Sequence, residues 1–215
     1  MDGNLLRFRK DVRYCWVDCE TFNLALSFQQ NRFWQIACLE VVGEEIVDTL
    51  DIRVNWPDAP HLKIGAGAAM VTRYNQQEHD KVAINADLVF PKVWAMLKRA
   101  DYVCYHNGLN FDLYLLKGWA EMMGEDWKWI VPKSIDTKAL AQGIKMGIKY
   151  NPQKDDFLEY QYRLSAQKVK GIKTNLAQCA KDYGIASDPE KYHEALYDLE
   201  INKMVFDKMK YQIEL

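Results

Sequence analysis

The chain has 215 residues, 49% of them hydrophobic, and a formal charge of -2 from 28 Lys plus Arg against 30 Asp plus Glu. That length and apolar content support one domain with a buried core and room for a subdomain-sized insertion. The near-balanced charge argues against a protein that coats long duplexes, although a local basic face survives it.

In chain order, the opening MDGNLLRFRKD has no apolar leader core. No later window approaches the roughly 18 uninterrupted apolar residues of a membrane span. Cys15, Cys19, Cys38, Cys104 and Cys179 are odd in number and include no C-x-x-C pair, so they read as reduced core thiols. A soluble cytoplasmic protein with no membrane partner is expected.

VRYCWVDC (12–19), FWQIACLEVV (33–42) and EIVDTLDIRV (45–54) are rich in Val, Ile, Trp and Tyr and read as strands; the last two, split only by Gly43 and Glu44, predict an antiparallel meander. The Pro- and Gly-containing stretch 55–70 reads as a connection. INADLVFPKVWAMLKRA (84–100) has helical spacing, with a start expected near Pro91. DYVCYH (101–106) predicts a short buried strand, followed by a helix opened by Asn110 and closed by Gly124. KSIDTKALAQGI repeats the strand-to-helix step, and Asp136 reads as its N-cap rather than as a ligand.

Residues 143–173 break the rhythm. They hold seven Lys/Arg against three Asp/Glu, with Tyr150, Phe157, Tyr160 and Tyr162 interleaved. These aromatics read either as stacking platforms for single-stranded bases or as packing that holds the insertion to the domain. A helix opening at Thr174 and a long C-terminal helix complete the chain. The whole predicts an α/β fold: a mixed five-stranded sheet, antiparallel meander plus parallel strands, flanked by helices.

Asp18 and Glu20, two apart on a strand, point the same way at its exit from the core. Two carboxylates about 4 Å apart repel by roughly 4 kcal/mol at an effective dielectric near 20. The pair therefore reads either as solvated acids in a turn or as half of a cation site. Asp112 falls in the first turn of the helix after DYVCYH, where an acid also compensates the helix dipole. His193 and Asp198 stand at i and i+5, about 140° apart on one helix, and converge only if that helix begins just after His193.

WVDCET, YHNGLNFDLYLL and HEALYDLEINKMVF, in this order, resemble the D-x-E, H-N-x-x-(x)-F-D and H-x-x-x-x-D motifs of the DEDDh 3′-to-5′ exonucleases, the proofreading-subunit-like family with an RNase H-like fold. RFWQIA and SIDTKALA resemble secondary signatures, and the similarity spans roughly residues 10 to 210. The resemblance implies one exonuclease domain over 1–215, with the 143–173 stretch as a basic aromatic insertion. It implies that Asp18, Glu20, Asp112 and Asp198 bind two Mg²⁺, for which Mn²⁺ substitutes, and that His193 is the general base. The expected substrate is nucleic acid with a 3′ end, DNA ahead of RNA and single-stranded ends preferred, and the expected product is the 5′-mononucleotide. Thr21, Phe22 and Asn107 are the expected substrate contacts, and a polymerase partner is conceivable on this resemblance. An exoribonuclease of the same fold, or an idle nucleic-acid- or polymerase-binding domain, are the alternatives. Where the family carries a glycine-containing loop against the terminal nucleotide, this chain offers MVTRYN (70–75), without glycine.

Overall fold

The computed structural model describes residues 11–213; the first ten residues of the opening stretch read above lie outside them. Strands β1 (Arg13–Thr21), β2 (Phe33–Val42) and β3 (Glu45–Asn55) form the expected meander. Gly43 turns between the last two with φ 63°, a left-handed conformation that costs glycine little. The chain continues through α1 (Ala66–Thr72), α2 (Gln76–Val82), β4 (Ile84–Asn85), α3 (Ala86–Arg99), β5 (Tyr102–Tyr105), α4 (Asp112–Met122), β6 (Ser134–Asp136), α5 (Thr137–Met146), α6 (Phe157–Ser165), α7 (Leu176–Asp182) and α8 (Ala195–Ile213).

The sheet has six strands in the order β4-β3-β2-β1-β5-β6 rather than five. The extra one, β4, is two residues long and pairs with β3 only at Val54 and Asn55, too short to leave a strand pattern in the sequence. β1 pairs antiparallel with β2 and parallel with β5, and β5 pairs parallel with β6.

Three helix starts differ from expectation. α3 begins five residues before Pro91, which sits one turn inside it and forfeits one backbone hydrogen bond there. α4 begins at Asp112, because Gly108–Asn110 forms a separate 3-10 turn. α7 begins at Leu176, where Asn175 rather than Thr174 supplies the cap by accepting from the Gln178 N–H. α1 lies partly inside the stretch read as connection and buries no residue, so no apolar periodicity announces it.

Side-chain alternation along β1 sorts the core. Cys15, Val17 and Cys19 join the cluster under α3 and α4, while Tyr14 and Trp16 join the cluster under α5, α6, α7 and α8. Trp16 meets Phe206 of α8 edge-on at 5.4 Å between ring centroids. The same parity puts Asp18 and Glu20 on the α8 side of the sheet, so burying Trp16 against α8 fixes where the acids face. Among the described residues no helix is long and apolar enough to cross a membrane.

Candidate active site

β1, β5 and β6 run parallel, and their carboxyl ends open on a cleft of about 740 Å³, the usual position for a ligand in an open α/β sheet. Its walls include Asp18, Glu20, Asn107, Val71, His193 and Asp198. Glu20, His193 and Asp198 each offer a ligand atom, and those atoms all lie within 4.8 Å of one another.

Asp112 is buried one layer below the cleft surface, at the start of α4. Its Oδ1 accepts the Cys19 N–H at 3.1 Å, which ties α4 to the end of β1 between the two acids. The four carboxyls therefore approach from both faces of the sheet: Asp18 and Glu20 from β1, Asp112 from one layer and Asp198 from the other. Each is harder to ionise than usual. Burial, then Glu20, Asp112 and Asp198, push Asp18 well up. Burial followed by Asp198 and Asp112 raises Glu20 to about 8, and burial raises Asp112 to about 7 and Asp198 to about 6. Asp198 Oδ1 is buried without any hydrogen-bond partner. A set of crowded oxygen donors, one of them unpartnered, fits a hard divalent cation.

His193 reaches this cluster by the route its spacing requires. α8 starts two residues later, and His193 itself has φ 69°, left-handed and strained for a residue with a Cβ. That turn aims its N–H at Asp198 Oδ2, 3.1 Å away. The exposed imidazole lies near Arg73, which pairs with Glu194 at 2.8 Å and so links α1 to the loop before α8. Partial desolvation and the Arg73 charge hold His193 below the ordinary imidazole pKa.

Asp136 is an N-cap, as its position indicated: Oδ1 accepts from Asn107, Lys138 and Ala139 N–H, and Oδ2 from Leu109 N–H. His106 Nε2 lies 2.9 Å from the Thr174 carbonyl, which can only accept, so Nε2 carries the proton. Burial and the Lys138 charge lower this ring to about 4 and keep it neutral, with the unprotonated Nδ1 2.9 Å from Thr137 Oγ1.

Of the expected substrate contacts, Thr21 and Asn107 line the cleft. Thr21 donates its hydroxyl to the Asn23 carbonyl, and Asn107, at φ 79°, accepts from Lys138 Nζ at 3.1 Å. Phe22 corrects its expectation. It is core, edge-on to Tyr74, and does not line the cleft. Leu24 takes the exposed place, 84% accessible on the cleft wall. Buried Asn31 pins that loop by accepting from Asn23 N–H and donating to the Asn23 and Ala25 carbonyls. Nothing in the sequence singles out Leu24, which shares its loop with Phe22, Leu26 and Phe28. In the MVTRYN stretch, Val71 and Thr72 also line the cleft, while Tyr74 packs on Trp34.

The aromatics of the basic insertion divide. Tyr150 and Tyr160 are buried and Phe157 packs with them, so these three hold the insertion to the domain, and Tyr162 alone is exposed. Trp119 is core, and Trp127 and Trp129 pack against the same cluster, Trp129 edge-on to Trp94.

No curated protein is significantly similar in sequence. Among solved structures, the chain is similar to E. coli exonuclease I in complex with a dA16 oligonucleotide, at TM-score 0.71 and 14% identity over 94% of this chain and 41% of that one. It is equally similar to the zinc-ion-bound form of the E. coli exonuclease I–ssDNA complex, at TM-score 0.71 and 15% identity over 94% and 41%. A product-bound exonuclease I superposes at TM-score 0.70 and 14% identity over 94% and 44%. The chain thus spans about two-fifths of the length of those proteins and shares their α/β fold. The RNase_T family model, described as an exonuclease, matches residues 15–206, which covers every acid named above, and on that match the chain belongs to this exonuclease family.

Proposed function

We propose that this chain is a metal-dependent 3′-to-5′ exonuclease that hydrolyses DNA from single-stranded 3′ ends and releases 5′-mononucleotides. The observation that carries the reading is the meeting of Glu20, His193 and Asp198 within 4.8 Å beside Asp18 and above Asp112. Asp18, Glu20, Asp112 and Asp198 would hold two Mg²⁺ or Mn²⁺. Such a pair, when bound, makes water a better nucleophile and neutralises charge on the leaving oxygen.

The rest falls to the chain's own side chains. Held below the ordinary imidazole pKa, His193 is neutral at pH 7 and accepts the proton of the attacking water at a ring nitrogen. Asp198 holds the His193 backbone in its left-handed turn, and so keeps the imidazole at the cleft. Leu24 and Val71, both lining the cleft, give the terminal base an apolar seat, and Asn107 offers its amide to the sugar-phosphate. Water attacks phosphorus, the bond to the 3′-oxygen of the preceding nucleotide breaks, and the terminal residue departs with its 5′-phosphate.

The oligonucleotide-bound state of the exonuclease I structures supports a single-stranded DNA substrate here. The five free, buried cysteines are in keeping with a reducing cytoplasmic setting. The test is a time course on single-stranded DNA, duplex DNA and RNA of one sequence with Mg²⁺, beside Asp18→Ala. Trimming fastest on single-stranded DNA and abolished by the substitution supports the reading. Faster trimming of RNA would make the chain an exoribonuclease, and binding without cleavage would make it a binding domain.

A further inference from the structure

A second cavity, of about 340 Å³, lies against the active-site cleft between the start of α5 and the segment that follows α6. Asn107 and Lys138 line both spaces, so the two adjoin. The new cavity adds Lys168, Lys170, Asn110 and Gln142. Its one acid, Asp136, is fully occupied by backbone N–H groups on both oxygens. Gln142 is buried, and among the described residues its amide nitrogen has the Met146 thioether, a weak acceptor, at 3.4 Å. The C-terminal end of the segment is anchored: the His106 ring donates to the Thr174 carbonyl, and Lys145 donates to the carbonyl of Lys173.

The chemistry of the neighbouring cleft creates a need for this feature. Asp18, Glu20 and Asp198 line the neighbouring cleft on a protein of net charge -2, and that net charge opposes the approach of a polyanion. Residues 166–173 supply three lysines and no acid directly beside them. The insertion's buried aromatics offer no stack of platforms for bases, whereas Lys168 and Lys170 line an open cavity with Lys138.

We propose that this cavity receives the sugar-phosphate backbone of the single-stranded nucleotides just 5′ of the scissile bond, with Lys168 and Lys170 neutralising two phosphates and Lys138 handing the strand on to the cleft. The proposal rests on the exonuclease reading and adds to it the path of the strand. Contacts to phosphate carry no base identity, so the path is indifferent to sequence.

The test compares a dinucleotide with a decamer of one sequence, for the wild type, Lys168→Ala/Lys170→Ala, and Lys168→Arg/Lys170→Arg. The ratio of kcat/KM for decamer over dinucleotide is expected to fall on the order of 10-fold at low salt in the alanine variant. The salt dependence of the decamer is expected to weaken by about 1.4 in log–log slope, two phosphates at about 0.7 each. The arginine variant keeps both. A ratio unchanged by alanine, or a fall that arginine does not restore, overturns the proposal. Fluorescence anisotropy of a labelled decamer in metal-free buffer separates the two claims. Weaker binding by the alanine variant supports the cavity even if no substrate is cleaved, and equal binding overturns the cavity even if cleavage is robust.

Discussion

Removing divalent metal and raising the pH is expected to destabilise this protein, and the acids at the cleft set the size of the effect. A carboxyl whose folded pKa is raised holds its proton more tightly in the folded chain. Its stabilising contribution is therefore complete below the unfolded value and is lost as pH rises through the folded one. For Glu20 that window runs from 4.5 to about 8, with Asp198 and Asp112 titrating inside it at about 6 and about 7. Glu20 alone, ionised in the folded chain, costs on the order of 5 kcal/mol. The three shifts do not add, because each already contains the charges of the others and the cluster titrates as one system. A loss of about 3 to 5 kcal/mol, at about 2–4 °C per kcal/mol for a chain of this size, lowers Tm by roughly 10 °C between about pH 5 and pH 8.5. Saturating Mg²⁺ at about 100 times its Kd returns about 2.7 kcal/mol. Differential scanning fluorimetry in EDTA across this range, with and without excess Mg²⁺, reads both effects, and Glu20→Gln should flatten the pH dependence. A Tm that is level from pH 5 to pH 8.5 and indifferent to Mg²⁺ would refute the crowding of these carboxyls.

Other outcomes follow from single contacts. His193→Ala should lower kcat by about 10²- to 10⁴-fold with Tm little changed, and should remove one group from the acid limb of the kcat/KM profile, leaving the part set by the carboxyls. In the wild type that limb falls as His193 gains its proton, below the ordinary imidazole value. Leu24→Ala should raise KM for single-stranded DNA several-fold without moving Tm, since Leu24 is exposed on the cleft wall; an unchanged KM removes it from the substrate. Gly118→Ala should destabilise by about 1–3 kcal/mol in urea unfolding. A Cβ there would lie 2.2 Å from Phe28 Cβ, and the Phe28 ring in turn packs on Trp56 and carries the Arg32 guanidinium at 3.7 Å.

What the sequence disclosed depended on whether a residue's role is local. The meander was legible because β2 and β3 are rich in Val, Ile and aromatic residues and only two residues split them, and the common facing of Asp18 and Glu20 because strand parity fixes direction without a partner, whereas their meeting with Asp112 and Asp198 was implied by the motif resemblance. His193 and Asp198 were legible as a condition, that the helix start after His193, and the left-handed turn at His193 meets it. α1 and α2 bury almost nothing, only His79 between them, so no periodic face betrayed them. Leu24 was hidden because its exposure is set by Asn31, eight residues beyond Asn23, through side-chain bonds across the loop. Phe22 was misjudged for the mirror reason: its neighbour Tyr74 comes from a segment fifty residues away. The basic insertion read either as a recognition element or as packing, and it divides: Tyr150, Phe157 and Tyr160 pack inward, while Lys168 and Lys170 line the surface cavity.

The most direct measurement is the order in which label is lost from one single-stranded DNA carrying a tag at its 5′ end or at its 3′ end, with Mg²⁺, for the wild type and Asp112→Asn. The 3′ tag should leave at once as a mononucleotide, the 5′ tag should persist on a ladder that shortens one residue at a time, and both events should cease in the variant. Early release of the 5′ tag, or equal rates with and without the Asp112 carboxylate, would contradict the assignment of these acids to a 3′-to-5′ hydrolytic site.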